Sequence, residues 1–126
     1  PDSRRTYPWG HENTELLRYH KTAIAMRKDV HCLKKGSVKR LDAGNGYIAY
    51  GRFDCEDCAA VIINCTDGDL NLSVPVWELD VPTGSNMIRR LNAEGFYDGE
   101  KCEVRHGRLF ITLPAKSGCV YTFGYK

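Results

Sequence analysis

The sequence predicts a mainly β protein, an antiparallel Greek-key β-sandwich with one N-terminal α-helix. The first observation is that apolar residues such as Leu16 and Ile24 recur at helical spacing only between Glu12 and Asp29. The second is that apolar residues after Gly36 form short alternating or continuous runs, which are typical of strands. These runs follow one another with no second helix between them, which favours antiparallel pairing in a sandwich or barrel.

The predicted helix carries a broad apolar arc, and such an arc needs a partner. Asn13 is a good N-cap candidate, because its side chain can accept a hydrogen bond from the free N–H groups of the first turn. Residues 31–36 are expected to form an exit turn that ends at Gly36. We expect the arc to pack against the sheet or against a second copy of the chain. Its members are Leu16, Leu17, Tyr19, His20, Ala23, Ile24, Met26 and Arg27.

Turn signals divide the remainder of the chain into candidate strands. The continuously apolar run from Ala59 to Ile63 is typical of a central strand that is covered on both faces. Pro75 cannot donate to a ladder and therefore predicts an edge strand. Hairpins are predicted around residues 54–57 and across His106-Gly107. The candidate strands are residues 38–41, 47–53, 59–65, 70–76, 87–91, 102–105, 108–113 and 119–123.

Length and charge restrict the class of protein. The chain has 126 residues, of which 42% are hydrophobic and 27% charged, as in one ordinary globular domain. The net charge of +2 is too balanced to indicate nucleic-acid binding or attachment to an anionic membrane. No apolar run approaches transmembrane length. We therefore expect neither nucleic acid nor membrane among the partners.

Six cysteines permit a disulfide framework, but a chain with this apolar content does not need one. We favour reduced thiols and a cytoplasmic location, while a signal preceding Pro1 stays open. Cys65 and Cys119 fall in strand-like runs, where cysteine acts as a small hydrophobe. Cys55 and Cys58 form a C-x-x-C pair that could serve redox chemistry or half a zinc site. No second pair exists, so we favour surface turn cysteines and expect no metal and no cofactor.

Several motifs occur in an order that is informative as a set. Residues 5–9, Arg-Thr-Tyr-Pro-Trp, are similar to an Arg-x-Phe-Pro-Trp stretch, and the helix reads Ile-Ala-Met-Arg at residues 24–27. Val-Pro-Val-Trp at 74–77 and Val-Pro-Thr-Gly at 81–84 follow, and 113–118 resemble a Leu-Pro-x-x-Ser-Gly turn. Together they resemble the end of an α-amylase-family glycoside hydrolase of the neopullulanase, cyclomaltodextrinase and maltogenic-amylase type.

This resemblance implies two parts. Residues 1–36 would be the loop and last helix of a TIM barrel that the chain otherwise lacks, and residues 37–126 the C-terminal β-sandwich domain. The family's catalytic carboxylates lie upstream, so we expect no catalytic residue here. The parent polypeptide would be the enzyme, cleaving α-1,4 or α-1,6 glucan bonds by the retaining mechanism. Arg40-Leu41-Asp42-Ala43 resembles the family's nucleophile segment, but its place after the last barrel helix favours a strand end.

Three functions follow as hypotheses. The first is a non-catalytic accessory domain that stabilises the catalytic barrel of the same polypeptide. The second is α-glucan binding through exposed aromatic residues, with Trp77 and Trp9 as the candidates, because aromatic faces suit the apolar faces of glucose. The alternation of residues 70–76 predicts that Trp77 lies on the exposed side. The third is a metal or redox module on Cys55 and Cys58. Without the barrel, the helix face could also form a homodimer.

Overall fold

A computed structural model describes residues 14–125. The helix predicted over residues 12–29 is present, although its first two residues, the second of which is the predicted cap Asn13, lie outside the described part. The elements are α1 (Thr14–Asp29), α2 (Cys32–Lys35), β1 (Ser37–Gly44), β2 (Tyr47–Phe53), β3 (Asp57–Asn64), β4 (Leu70–Val74), a 3₁₀ turn (Val76–Leu79), β5 (Asn86–Leu91), β6 (Lys101–Glu103), β7 (Leu109–Leu113) and β8 (Ser117–Gly124).

The strands form an antiparallel β-sandwich, which confirms the predicted fold class. The larger sheet has six strands in the order β1-β2-β3-β8-β5-β6, and the smaller sheet pairs β4 with β7. Every strand pair in the described chain is antiparallel. Strand β3 lies between β2 and β8, as the continuously apolar run from Ala59 to Ile63 predicted. Pro75 directly follows β4, whose only strand neighbour in residues 14–125 is β7.

Two apolar clusters lie on the two faces of the larger sheet, and β3 contributes to both. Ala60 and Ile62 point into the main core between the sheets, where Val74 and Leu109 of the smaller sheet meet them. Ala59 points to the opposite face, because successive side chains of a strand alternate. There it packs in a second cluster with Val30, Cys32, Leu91 and Val120, to which Met26 and Leu33 of the helices add. The helices therefore cover the outer face of the larger sheet.

The predicted hairpin across His106-Gly107 is wrong in its pairing. β6 pairs with β5 in the larger sheet, whereas β7 pairs with β4 in the smaller one. Only an isolated bridge joins Arg105 to Arg108 across the turn. His106 and Gly107 both adopt positive φ, 52° and 74°, and turn the chain sharply at this point. The segment is thus a crossing between sheets.

Two further boundaries differ from the predictions. The strand predicted over residues 70–76 ends at Val74, because Pro75 interrupts it and a 3₁₀ turn follows, closed by Asp80 at φ 61°. The exit turn predicted at residues 31–36 contains the short helix α2, and Gly36 ends that helix by donating its N–H to the carbonyl of Cys32.

The cysteine predictions are partly corrected. All six cysteines are free thiols. Cys119 is buried in β8 as predicted, but Cys65 is exposed because β3 ends one residue before it. Cys55 is exposed, whereas Cys58 lies inside β3 and is fully buried, so the pair does not form a surface turn dithiol.

Candidate interaction surface

The helix α1 uses only one edge of its apolar arc to contact the sandwich. Its half-buried residues, Thr22 and Met26 among them, mark the side that faces the sheet, and none of its described residues is fully buried. Leu17 and Ile24 are seven residues apart and share a side, since each residue turns the helix by about 100°. That side is nearly opposite Met26, and the two side chains are 40% and 55% exposed.

Arg18 holds the first half of α1 to the loop after β5. Its guanidinium stacks over the ring of Phe96, 3.6 Å from the ring centroid. It also donates hydrogen bonds to the carbonyls of Gly95 and Glu94, at 3.0 and 3.3 Å. Cation–π contact and hydrogen bonds together fix the orientation of the helix on the sandwich. The side that carries Leu17 and Ile24 therefore has a defined position.

A polar junction joins the residues that follow α1, His31 and α2, to the β2–β3 turn. Asp57 accepts the backbone N–H groups of His31 and Cys32, at 3.0 and 2.8 Å. It thereby satisfies donors that a helix start leaves free. Asp54 accepts a hydrogen bond from the imidazole Nδ1 of His31 and from the N–H groups of Glu56 and Asp57. These contacts join the helices to the turn that carries the C-x-x-C pair.

The hydrogen bond between His31 and Asp54 shifts the pKa values of both groups. The hydrogen bond to Asp54 raises the pKa of His31, and Glu56 adds to the effect, while burial and Lys34 act against it. Burial alone would raise the pKa of Asp54, but the bonds from His31 and from the backbone outweigh it and lower that pKa. Both shifts favour a protonated imidazole beside an ionised carboxylate.

Trp77 stands on the 3₁₀ turn, so its exposure has a different origin from the strand alternation predicted for it. The side chain is 56% exposed. Its backbone N–H donates to the carbonyl of Gly107 at 2.8 Å, and Gly107 donates to the hydroxyl of Thr83 at 2.8 Å. A Cβ on Gly107 would come within 2.9 Å of the Trp77 Cβ, so only glycine permits this approach. The indole thus stands on a fixed backbone. Trp9 lies outside the described residues.

The C-x-x-C pair and the Arg40–Asp42 segment occupy separate parts of the described chain, on β3 with the turn before it and on β1. Burial raises the pKa of the Cys58 thiol to about 11, which suppresses the reactive thiolate at neutral pH. No set of three or more histidine, cysteine, aspartate or glutamate side chains within residues 14–125 could hold a metal ion. Arg40 and Asp42 lie on β1 at a bulge. Each helix in the described range is too short or too polar to traverse a lipid bilayer.

Sequence reasoning missed the junction formed by His31, Asp54 and Asp57. The sequence feature that could have indicated it is the Asp54-x-x-Asp57 spacing. The side chain of the first aspartate can accept hydrogen bonds within the turn, while that of the second can accept N–H groups at the start of a helix. The partner helix α2 is only four residues long and was hidden in an expected turn. The distance between the two segments in sequence gave no indication that they meet.

Comparisons with known proteins give relatives that are much longer than this chain. No profile of a known protein family matches it. It is 28% identical to an amylopullulanase of Thermoanaerobacterium saccharolyticum over 94% of its length, but spans only 10% of that protein. It is 27% identical to a cyclomaltodextrinase of Geobacillus thermopakistaniensis over 69% of the chain and 16% of that relative. The fold matches an α-amylase of Anoxybacillus with a TM-score of 0.78 at 18% identity, covering 100% of this chain and 26% of the other.

Proposed function

We propose that the chain is a C-terminal accessory domain of an α-amylase-family glycoside hydrolase and that it stabilises the catalytic barrel of the same polypeptide. It corresponds to a small part of such a hydrolase and not to the catalytic barrel. The parent would degrade α-glucans. In this proposal residues 1–36 belong structurally to the barrel and residues 37–126 form the β-domain.

The observation that carries the proposal is the uncovered side of α1. A helix on a globular protein normally presents polar residues to water, whereas α1 presents Leu17 and Ile24. The sandwich does not cover them, because α1 contacts the sheet through Met26, which is nearly opposite, and the loop after β5 through Arg18. A second apolar body on this side would sandwich the helix between two domains. The barrel that the family resemblance implies would precede the helix in the same polypeptide, and it would therefore be the body nearest in sequence.

The test uses the complete polypeptide encoded by the gene and the double substitution Leu17→Glu and Ile24→Glu. We expect a lower temperature of thermal inactivation of glucan hydrolysis, because two carboxylates would be buried against the barrel. The matched control is Val38→Glu, which places a carboxylate on an exposed apolar residue of the edge strand β1. In the 126-residue chain alone, both variants should keep the urea midpoint, since all three side chains are exposed. Equal inactivation of the double variant and wild type would contradict the proposal.

The second candidate function is α-glucan binding at Trp77. The exposed indole offers a flat apolar face to a sugar ring. Because its backbone is already held by a hydrogen bond to Gly107, little conformational entropy would be lost on binding. We expect soluble starch to retard the chain in affinity electrophoresis and Trp77→Ala to remove the retardation. Phe110→Ala is the matched control, because Phe110 is 51% exposed on a different element, β7. Mobility that is unaffected by starch would exclude this function. Trp9 stays a predicted contributor, to be tested in the same gels.

Homodimer formation is a further prediction for the chain without its barrel. The side of α1 that carries Leu17 and Ile24 would then be open to a second copy. Sedimentation of the 126-residue chain at increasing concentration would detect the dimer, and the double glutamate variant should stay monomeric at the same concentrations.

A further inference from the structure

A second surface lies between α1 and the loop after β5, and Lys21 stands where it adjoins the side that carries Leu17 and Ile24. An open groove of about 510 Å³ separates the helix from the end of β5 and the loop that follows it. Its apolar floor is formed by Ala25 and Met26, and its rim is polar. Lys21, Ala25 and Asp29 are four residues apart in succession and line one side of the helix. The opposite wall is made by Arg90 and Tyr97.

Tyr97 presents its ring to this groove from a loop that is held in place. The side chain is 57% exposed. The neighbouring Asp98 accepts hydrogen bonds from Arg89, at 3.0 Å from Nε and 2.6 Å from Nη2, and from Asn92 at 3.1 Å. The bonds from Arg89 lower the pKa of Asp98 to about 2, so the carboxylate stays ionised at neutral pH. Gly99 adopts a positive φ of 65° and lets the tyrosine hydroxyl lie over it.

The polar groups of the rim carry both signs of charge. Arg90 is oriented by one hydrogen bond from Nε to the hydroxyl of Thr122 at 3.0 Å, and its guanidinium lies 5.8 Å from the Tyr97 ring centroid. In the described part of the chain, neither the ammonium group of Lys21 nor the carboxylate of Asp29 has a hydrogen-bond or ion-pair partner. Their donors and acceptors are therefore available to a ligand, while Arg90 offers further N–H donors.

This combination matches the chemistry of a neutral sugar. A pyranose ring has an apolar C–H face that suits an aromatic ring and the floor of the groove, and hydroxyls around its edge that both donate and accept. A phosphate or other anion would be repelled by Asp29, and a cation by Lys21 and Arg90. We propose that the groove binds one glucose ring of an α-glucan, stacked on Tyr97 and hydrogen-bonded by Lys21, Asp29 and Arg90. Only the choice of an α-glucan rests on the proposed function.

The test is an NMR titration of the 126-residue chain with maltoheptaose, with affinity measured by calorimetry. We expect amide shifts in residues 21–29 and 92–100. Tyr97→Ala should weaken binding by roughly tenfold, because it removes the aromatic anchor. Tyr97→Phe keeps the ring and should stay within a factor of about three, and Asp29→Asn should weaken binding less than Tyr97→Ala. Because Tyr97 is exposed, we expect its substitution to leave the fold intact, and the amide spectra of the variants would verify this.

The controls separate this site from the two functions proposed above. Trp77→Ala should leave the shifts in residues 21–29 unchanged, because Trp77 lies on the 3₁₀ turn. Val38→Glu, on the edge strand β1, should bind maltoheptaose like wild type. Because the titration uses the 126-residue chain alone, its outcome does not depend on whether the domain stabilises a barrel. Maltoheptaose shifts that ignore Tyr97→Ala, or that map to Trp77 alone, would overturn the inference. So would a titration without shifts in the two segments.

Discussion

Asn64 shows how a single buried polar residue can join the two sheets. It is 1% exposed at the end of β3. Its two amide N–H groups are shared among the carbonyls of Gly68, Leu113 and Pro114, each 3.0 Å from the nitrogen, and its oxygen accepts from the N–H and hydroxyl of Thr66. Leu113 ends β7, so this side chain connects the larger sheet to the smaller one. Every donor and acceptor of the amide is used.

We expect Asn64→Ala to lower the free energy of unfolding by about 2–3 kcal/mol, because it leaves buried carbonyl and N–H groups without partners. Urea denaturation of the 126-residue chain would measure the change. Asn71→Ala is the control, since Asn71 is exposed on β4 and makes one side-chain bond, to Thr112. It should change the stability by no more than about 0.5 kcal/mol. Equal losses in the two variants would show that Asn64 is not a link between the sheets.

At the scale of elements, α1 is a helix with several distinct sides. One side packs on the sheet through Met26, another carries the exposed Leu17 and Ile24, and a third borders the groove opposite Tyr97. The apolar arc predicted from the sequence contains both Met26, on the sheet side, and Leu17 and Ile24, on the exposed side. The contact with the sheet was predicted, but the arc alone could not say which edge of it the sheet would take.

The junction of α2 with the β2–β3 turn should make the attachment of the helices depend on pH. The pKa of His31 is raised above its ordinary value of 6.5 by Asp54. Its contribution to stability is therefore present below pH 6.5 and is lost as the pH rises through the folded-state pKa. Hydrogen exchange of α1 amides, measured from pH 6 to 8 and corrected for intrinsic rates, should show decreasing protection in wild type.

Two variants separate the charge of the junction from its backbone cap. His31→Gln removes the titrating group and should flatten the pH dependence of protection. Asp57→Ala removes the acceptor for the N–H groups of His31 and Cys32, and should lower stability by about 1–2 kcal/mol at every pH. Asp67→Ala is the control, because that carboxylate is almost fully exposed beside Lys116. A pH dependence that persists in His31→Gln would rule out this explanation.

For the whole molecule, the periodicity of the sequence was sufficient to predict one helix and the run of strands. It also predicted the central place of β3, because the continuously apolar run from Ala59 to Ile63 favours a strand covered on both faces. Periodicity could not predict that β6 and β7 separate into different sheets. A turn at His106-Gly107 indicates that the chain changes direction, but hydrogen bonding to β5 or β4 depends on residues distant in sequence.

The candidate surfaces were predictable to different degrees. The exposure of Trp77 was expected, although Pro75 moved it from a strand to a 3₁₀ turn. The groove beside Tyr97 was not predicted, because it requires α1 and the loop after β5 to be placed together. The C-x-x-C pair was misleading for a simple reason. Strand β3 begins at Asp57, so Cys58 enters the core while Cys55 stays in the turn.

The cysteines differ in burial, so the order in which a thiol reagent modifies them would report the order in which parts of the structure open. Cys55 and Cys65 are open to a thiol reagent in the native protein, Cys32 is closed by the packing of α2, and Cys58 and Cys119 are closed by the sandwich. Mass spectrometry of peptides from the alkylated chain would show which cysteines are modified after each reaction time. Modification of Cys32 ahead of Cys58 would time the release of the helices, whereas simultaneous modification would mean that helices and sandwich open as one cooperative unit.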